Sequence, residues 1–320
     1  MRRTSAIIPA YNSETSIGAA IDSALGQTSA PHEVIVIDDG STDGTAQIIA
    51  SYGDKVIHLT QENAGQGAAR NAGLAIATGE FIAFLDADDY WKPAFLERTE
   101  QFLDAHPDAA AVSCAFKGER KKGDYYGPTH HAALHEQHPD GFMLDNFFDF
   151  WGEHDHVRTG TVLVRREITE QIGPQNADLR ISQDLEYWAL IATAGRWGLL
   201  PEVLWIGTSD AVARKTGWRK KYAARRKKAP SIPAWERRIT ARIAPEHEMG
   251  LARVRGRVAA GLMSAHALGG SRKHAQELLE TYGDDMPHGI SYHILNGANR
   301  FGAPGWALAT AALRLIDRLK

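Results

Sequence analysis

Short β-rich runs alternate with helix-patterned stretches through the N-terminal third of the chain, and the connections between them are brief. The β-rich runs cover residues 5–10, 33–37, 56–59 and 81–85. Helical periodicity fills 14–25, 45–52, 67–77 and 93–105. This repetition predicts an α/β fold with a mixed, mostly parallel sheet and helices on both faces. Asn12 or Ser13 is placed to cap the first helix, and Gly79 falls just past the third. Open sheets of this class bind ligands beyond the carboxyl ends of their strands. The chemistry is therefore expected just after Ala10, Ile37, Leu59 and Leu85.

Those places carry Pro9-Ala10-Tyr11-Asn12, an acid pair in Asp38-Asp39-Gly40-Ser41, a glycine-rich helix start from Asn63 to Gly73, and Asp86-Ala87-Asp88-Asp89. Tyr11 can stack on a planar base, or it can simply pack. Asp39 can accept a hydrogen bond from a base N–H, or its segment can be only a turn capping the next helix. The amides of Gly65 to Gly67 and the guanidinium of Arg70 suit an anionic diphosphate, although Arg70 can equally sit on a solvated helix face. Clustered carboxylates repel one another unless something positive sits between them. Asp86 and Asp88 thus suit a hard divalent cation, Mg²⁺ or Mn²⁺, which keeps open positions for phosphate oxygens. Four coincidences at successive strand ends point to one metal-dependent nucleotide-diphosphate site.

A chain of 320 residues can bury a sizeable core and is expected to hold more than one unit. The expected divisions are 1–106, the half that carries the nucleotide-diphosphate site; 107–206, the second half of the same domain; and 207–320, a basic linker with a helical C-terminal extension. Cys114 is the only cysteine, so no internal disulfide can form. No signal peptide pattern and no membrane-spanning apolar run is evident, so the expected setting is cytoplasmic and soluble.

The formal charge of -3 hides one dense basic stretch, 214–228. It holds Arg214, Lys215, Arg219, Lys220, Lys221, Arg225, Arg226, Lys227 and Lys228, with Trp218 and Tyr222 interleaved. Such a stretch is either a solvated helix face or a peripheral contact with an anionic membrane, at its inner face, or with a phosphate-linked lipid. No motif supports nucleic-acid binding. His130, His131, His135 and His138 have spacings open to zinc, but no cysteine or acid pattern accompanies them, and a solvated loop is the expectation. Residues 117–158 read as an insertion. Trp151, Glu153, His154, Asp155, His156 and Arg158 precede a strand at 161–164.

Taken in order, Ile7-Ile8-Pro9-Ala10-Tyr11-Asn12, Ile37-Asp38-Asp39-Gly40-Ser41-Thr42-Asp43, Ala69-Arg70-Asn71-Ala72-Gly73 and Phe84-Leu85-Asp86-Ala87-Asp88-Asp89 closely resemble the signature blocks of the family 2 glycosyltransferases. The resemblance continues through Gly160–Arg166, Ile181–Trp188 and Gly198–Trp205, and covers roughly residues 4–206. It implies an inverting enzyme with the fold called GT-A. It also implies nucleotide binding by Pro9, Tyr11, Asp39, Arg70 and Asp86, a metal on Asp88, and Asp184 as general base. Two departures stand out. Gln183-Asp184 replaces the family's usual Glu-Asp, and Trp205-Ile206-Gly207-Thr208 lacks the histidine of the family's Tyr-Arg-x-His.

The implied reaction moves a sugar from a nucleotide-diphosphate sugar, with uridine as the expected base, to a saccharide or lipid-linked acceptor hydroxyl, as in cell-surface polysaccharide synthesis. The alternatives are a sugar-nucleotide nucleotidyltransferase and a non-catalytic nucleotide-sugar binding module. The first would show a Gly-rich basic loop after the first strand, where this chain has Pro9-Ala10-Tyr11-Asn12. Retention of Asp86, Asp88 and Asp184 argues against the second. A dehydrogenase would show Gly-x-Gly-x-x-Gly at that first turn.

Overall fold

The protein is seen in a computed structural model that describes residues 4–121, 123–208 and 218–319. Two compact units share the chain. One is drawn from Met1–Phe147 and His154–Ala213, the other from Phe148–Glu153 and Arg214–Lys320.

The first unit opens with β1 (Thr4–Ala10), α1 (Ile17–Leu25), β2 (Glu33–Asp38), α2 (Thr45–Ala50), β3 (Ile57–Thr60), α3 (Gln66–Ile76) and β4 (Phe81–Phe84). It continues through β5 (Tyr90–Trp91), α4 (Phe95–Ala105), β6 (Ala109–Lys121), β7 (Asp124–Tyr126), α5 (His130–Gln137) and β8 (Phe142–Met143). The chain next forms α6 (Phe147–Glu153), which from Phe148 belongs to the second unit, and then returns to the first in β9 (Val162–Arg165), α7 (Arg166–Ile172), α8 (Gln183–Ala194) and β10 (Arg196–Gly207). The strands form one sheet in the order β3-β2-β1-β4-β9-β6-β10-β5, with β7 paired to β6 and β8 to β10. β3, β2, β1 and β4 run parallel, β9 is antiparallel to both its neighbours, and β6 and β10 are parallel again.

Helices on both faces explain why every residue of β1 is buried: a parallel strand covered on both sides reads as a continuous apolar run. Ile8, Val34, Val36 and Phe81 pack with Ile17, Ile21 and Ile49 in one core. On the other side α3 lies very close to β1. A Cβ at Gly73 would come within 2.5 Å of Ile7 Cγ2, so only glycine permits that approach.

Two sequence expectations need correction here. Neither Asn12 nor Ser13 caps α1, which starts later, at Ile17, and receives no side-chain cap. Asn12 adopts a left-handed conformation (φ 50°) and its Oδ1 accepts from Thr42 N at 2.8 Å, tying the turn after β1 to the turn after β2. The histidines at 130–138 are not a loop. They lie in and just after α5, whose His131 is buried against the edge of Phe116 with ring centroids 5.4 Å apart.

Helices make up the rest of the second unit: α9 (Trp218–Lys228), α10 (Ile232–Thr240), α11 (Glu248–Leu268), α12 (Arg272–Tyr282), α13 (Ile290–Asn299) and α14 (Gly302–Leu319). Arg214 and Lys215 of the basic stretch lie outside the described residues. Trp235, Ile239, Val254, Val258 and Leu262 are buried in this unit. Arg255 pairs with Asp285 at 2.8 Å and Glu236 at 3.5 Å. Among the described residues no helix is long and apolar enough to cross a membrane.

Candidate functional site

The parallel strands deliver their carboxyl ends to one edge of the sheet. Pro9 pairs in register with Ile37 inside it, and Tyr11, just past β1, is half exposed (50%). Asp39, just past β2, is the opposite case at 3% exposure. Its Oδ1 accepts from Gln61 Nε2 at 2.7 Å and Ala64 N at 2.9 Å, and its Oδ2 accepts from Gly65 N at 2.8 Å. A carboxylate buried in this way is satisfied by the backbone it organises. Here it shapes the segment leading into α3. Gly65 precedes that helix at φ 92°, a conformation that favours glycine, and Arg180 lies against it, donating from Nη1 to Ala64 O.

Arg70 projects from α3 into the interior, not onto a solvated face. It is 1% exposed, and its Nη2 donates to Asp86 Oδ1 at 2.6 Å. Asp88 is partly buried close to Asp86. Burial first, and the Asp86 charge second, push its carboxyl up to about 6 from an ordinary 3.8. Crowded carboxylates of this kind are what a divalent cation relieves, so Asp86 and Asp88 fit one. Among the described residues no group of three or more His, Cys, Asp or Glu side chains is placed to hold a metal ion.

Asp184 opens α8, two residues after Ser182, which is itself left-handed at φ 61°. The helix is anchored on β4: Tyr187 and Trp188 meet Phe84 at centroid distances of 6.3 and 6.1 Å. The first turn of α8 also touches α3, with Gln183 Nε2 donating to Gln66 Oε1 at 3.3 Å. Burial pushes the Asp184 carboxyl up, Arg70 opposes, Asp86 reinforces, and the Leu185 amide and Arg158 oppose again. Asp184 therefore shares an electrostatic environment with the Arg70–Asp86 pair.

Several contributors were invisible to sequence reading. Arg180 was not singled out, and nothing in its local sequence ties it to Ala64. Thr208 occupies the place of the missing histidine. Its N–H donates to Asp89 Oδ1 at 2.7 Å and its hydroxyl to the Asp88 carbonyl, so this strand end fastens the carboxylate turn. Arg158 pairs with Asp155 and lies 5.0 Å from the Phe116 ring centroid. Of the other residues before β9, His156 is buried with Nδ1 3.1 Å from Ser113 Oγ. Trp151 and Glu153 belong to the second unit, where Trp151 is buried and Glu153 pairs with Arg253 at 3.3 Å. Within α5, burial and then His130 and His154 push His131 down to about 4.

Residues 5–173 match the family model described as "Glycosyl transferase family 2". The putative teichuronic acid biosynthesis glycosyltransferase TuaG of Bacillus subtilis (strain 168) is 34% identical over 203 residues, 60% of this chain and 72% of TuaG. The UDP-Glc:alpha-D-GlcNAc-diphosphoundecaprenol beta-1,3-glucosyltransferase WfaP of Escherichia coli is 43% identical over 106 residues, 32% of this chain and 42% of WfaP. For an uncharacterized Nostoc relative the matched share of its own length is 31%. In fold, the chain resembles S. aureus TarS 1–349 in complex with UDP-GlcNAc, with a TM-score of 0.54 and 20% identity over 90% of this chain and 93% of that one.

Proposed function

Because the chain belongs to glycosyl transferase family 2, with the GT-A fold, we propose that it transfers a sugar from a nucleoside-diphosphate sugar to an acceptor hydroxyl with inversion at the anomeric carbon. The observation that carries this reading is the gathering of an exposed ring, a part-buried Arg–Asp pair and two carboxyls with raised pKa at one sheet edge.

Each residue has a part. Tyr11 offers its exposed face to the base, and Asp39 holds the segment 61–65 in the shape that receives the nucleoside. Arg70 sets a fixed positive charge beside Asp86, in a site where reorientation costs nothing at the moment of reaction. Asp86 and Asp88 would hold Mg²⁺ or Mn²⁺, which when bound neutralises charge on a diphosphate leaving group. Asp184 takes the proton of the attacking hydroxyl. The new C–O bond forms as the bond to the diphosphate breaks on the opposite face, and the nucleoside diphosphate leaves with the electron pair. Burial suits Asp184 to this role, because it brings the carboxyl's proton affinity nearer to that of a base working at neutral pH.

TuaG is named for teichuronic acid biosynthesis, and WfaP for a diphosphoundecaprenol-linked acceptor. TarS binds UDP-GlcNAc in the structure cited above. These names support a UDP-sugar donor and a saccharide or lipid-linked acceptor in cell-surface polysaccharide synthesis. The test is thermal-shift screening of nucleoside diphosphates and their sugars with and without Mn²⁺, followed by NMR assignment of the product's anomeric configuration. Stabilisation by a uridine nucleotide and an inverted product are expected. A retained configuration would overturn the single-displacement mechanism.

A further inference from the structure

A cavity of about 550 Å³ opens within the helical unit, between the turn joining α9 to α10 and the hairpin of α11 and α12. Its polar lining includes Arg226, Ser231, His266, Ser271, His274 and Glu277, and its apolar wall includes Ile232, Pro233 and Leu278. Arg226 differs from its neighbours in the basic stretch. Arg225, Lys227 and Lys228 are exposed, whereas Arg226 is half-buried and packs so close that a Cβ at Gly269 would lie 3.0 Å from its own.

Helices α10 and α12 both begin at this cavity, with Ser231 and Ser271 at their N-caps. Helix N-termini carry unpaired amides and partial positive charge. The Ser231 hydroxyl accepts from Ala234 N at 3.3 Å. Ser271 Oγ lies instead 2.7 Å from His274 Nδ1 and caps no amide of α12. His266 and His274 stack with centroids 5.2 Å apart and planes 16° from parallel, and His266 Nδ1 is buried with no partner. Burial, then His274 and Arg226, hold His266 below its ordinary pKa, with the Glu277 carboxylate opposing. Glu277 is the one acid among the lining residues described. Its side chain is half exposed and reaches out to Lys273 at 3.8 Å. The C-terminal end of α11 adds a weak opposing dipole.

We propose that this cavity is a phosphate-binding site. A phosphate ester would lie between the Arg226 guanidinium, the paired imidazoles of His266 and His274 and the amide end of α12, with its organic substituent against Ile232 and Pro233. A planar guanidinium donating two parallel hydrogen bonds, beside free helix amides, is the chemistry that selects phosphate oxygens. Nothing here depends on the donor site at the sheet edge, so loss of one reading leaves the other standing.

The experiment uses the full chain at fixed ionic strength. Inorganic phosphate and glycerol 3-phosphate are titrated calorimetrically. Phosphatidylcholine vesicles with and without phosphatidic acid are tested by co-sedimentation. Arg226→Gln is expected to weaken binding about tenfold or more, whereas Arg225→Gln, which removes an equal charge from the exposed face, leaves it unchanged. Binding of the soluble phosphates identifies a free phosphate ester as the ligand, and binding confined to phosphatidic acid vesicles identifies a lipid headgroup. Should Arg226→Gln fail to fold, His274→Gln must weaken the same binding. Equal losses in the Arg225 and Arg226 variants, or no binding of any probe by the wild type, would overturn the site.

Discussion

Buried Arg70 and half-buried Asp86 form an ion pair at 2.6 Å that joins the middle of α3 to the exit of β4. The same guanidinium opposes the burial-driven rise of Asp184, so one cation balances two acids on different elements. A buried pair of this sort contributes little net stability, yet losing one member leaves the other uncompensated. Arg70 therefore acts as an electrostatic pivot, and the site's behaviour on mutation follows from it.

Arg70→Met strands Asp86 beside Asp88 and is expected to cost about 3–5 kcal/mol in urea denaturation. Arg70→Lys keeps a charge but loses the planar fork, and it is expected to recover only part of that loss. A denaturation midpoint unchanged in Arg70→Met would contradict the pivot role.

Asp184→Asn is expected to lower turnover by about 10²–10⁴-fold while donor binding, followed by calorimetry, stays near wild type. Asp88→Asn is expected to abolish turnover and also to weaken Mn²⁺-dependent donor binding. Normal turnover in Asp184→Asn would remove that residue from the proposed base role.

The raised carboxyl of Asp88 gives a pH signature. Its folded-state value, about 6, lies above the ordinary 3.8, so between those values the folded protein keeps a proton that the unfolded chain releases. The resulting stabilisation is complete below the lower value and is lost as pH rises through the upper one. In metal-free buffer Asp88→Asn should then melt above wild type at pH 7.5, by an equivalent of up to about 2–3 kcal/mol, with the gap closing near pH 4. A gap that widens on acidification would show the sign to be wrong.

Gly73→Ala tests the fold apart from the chemistry. The new methyl would enter the space held by Ile7 Cγ2, and overpacking of this kind costs about 1–3 kcal/mol. Equal thermal stability in the variant would mean that α3 can shift away from β1 freely.

The sheet edge was legible in the sequence because β1, β2 and β4 end where apolar residues give way to Tyr or Asp. Ala10, Ile37 and Leu85 mark those transitions within one residue of the observed ends. The start of α1 was misread because Asn12, a good capping residue, spends its side chain on Thr42, 30 residues away. Helix α5 was illegible for a different reason. Its residues show almost no amphipathic pattern, so only the contact of His131 with Phe116 reveals a buried side. Asp39 was recognised, but its hold on Ala64 and Gly65 depends on the parallel arrangement bringing distant turns together. Arg180 escaped notice because its partner is a backbone carbonyl, which leaves no trace in residue identity, and the role of Thr208 rests on contacts with residues 88 and 89, 120 and 119 positions away.

The hairpin-like bend that carries Asp86 and Asp88 is moored at both ends: Leu85 N donates to Ile7 O at 3.0 Å on one side, and Thr208 N grips Asp89 on the other. A bend pinned twice cannot follow an incoming molecule. A donor bound as proposed would have to adjust its own torsions to that spacing, so tolerance for misshapen guests should be low, and loosening the Thr208 mooring is the change that would relax it.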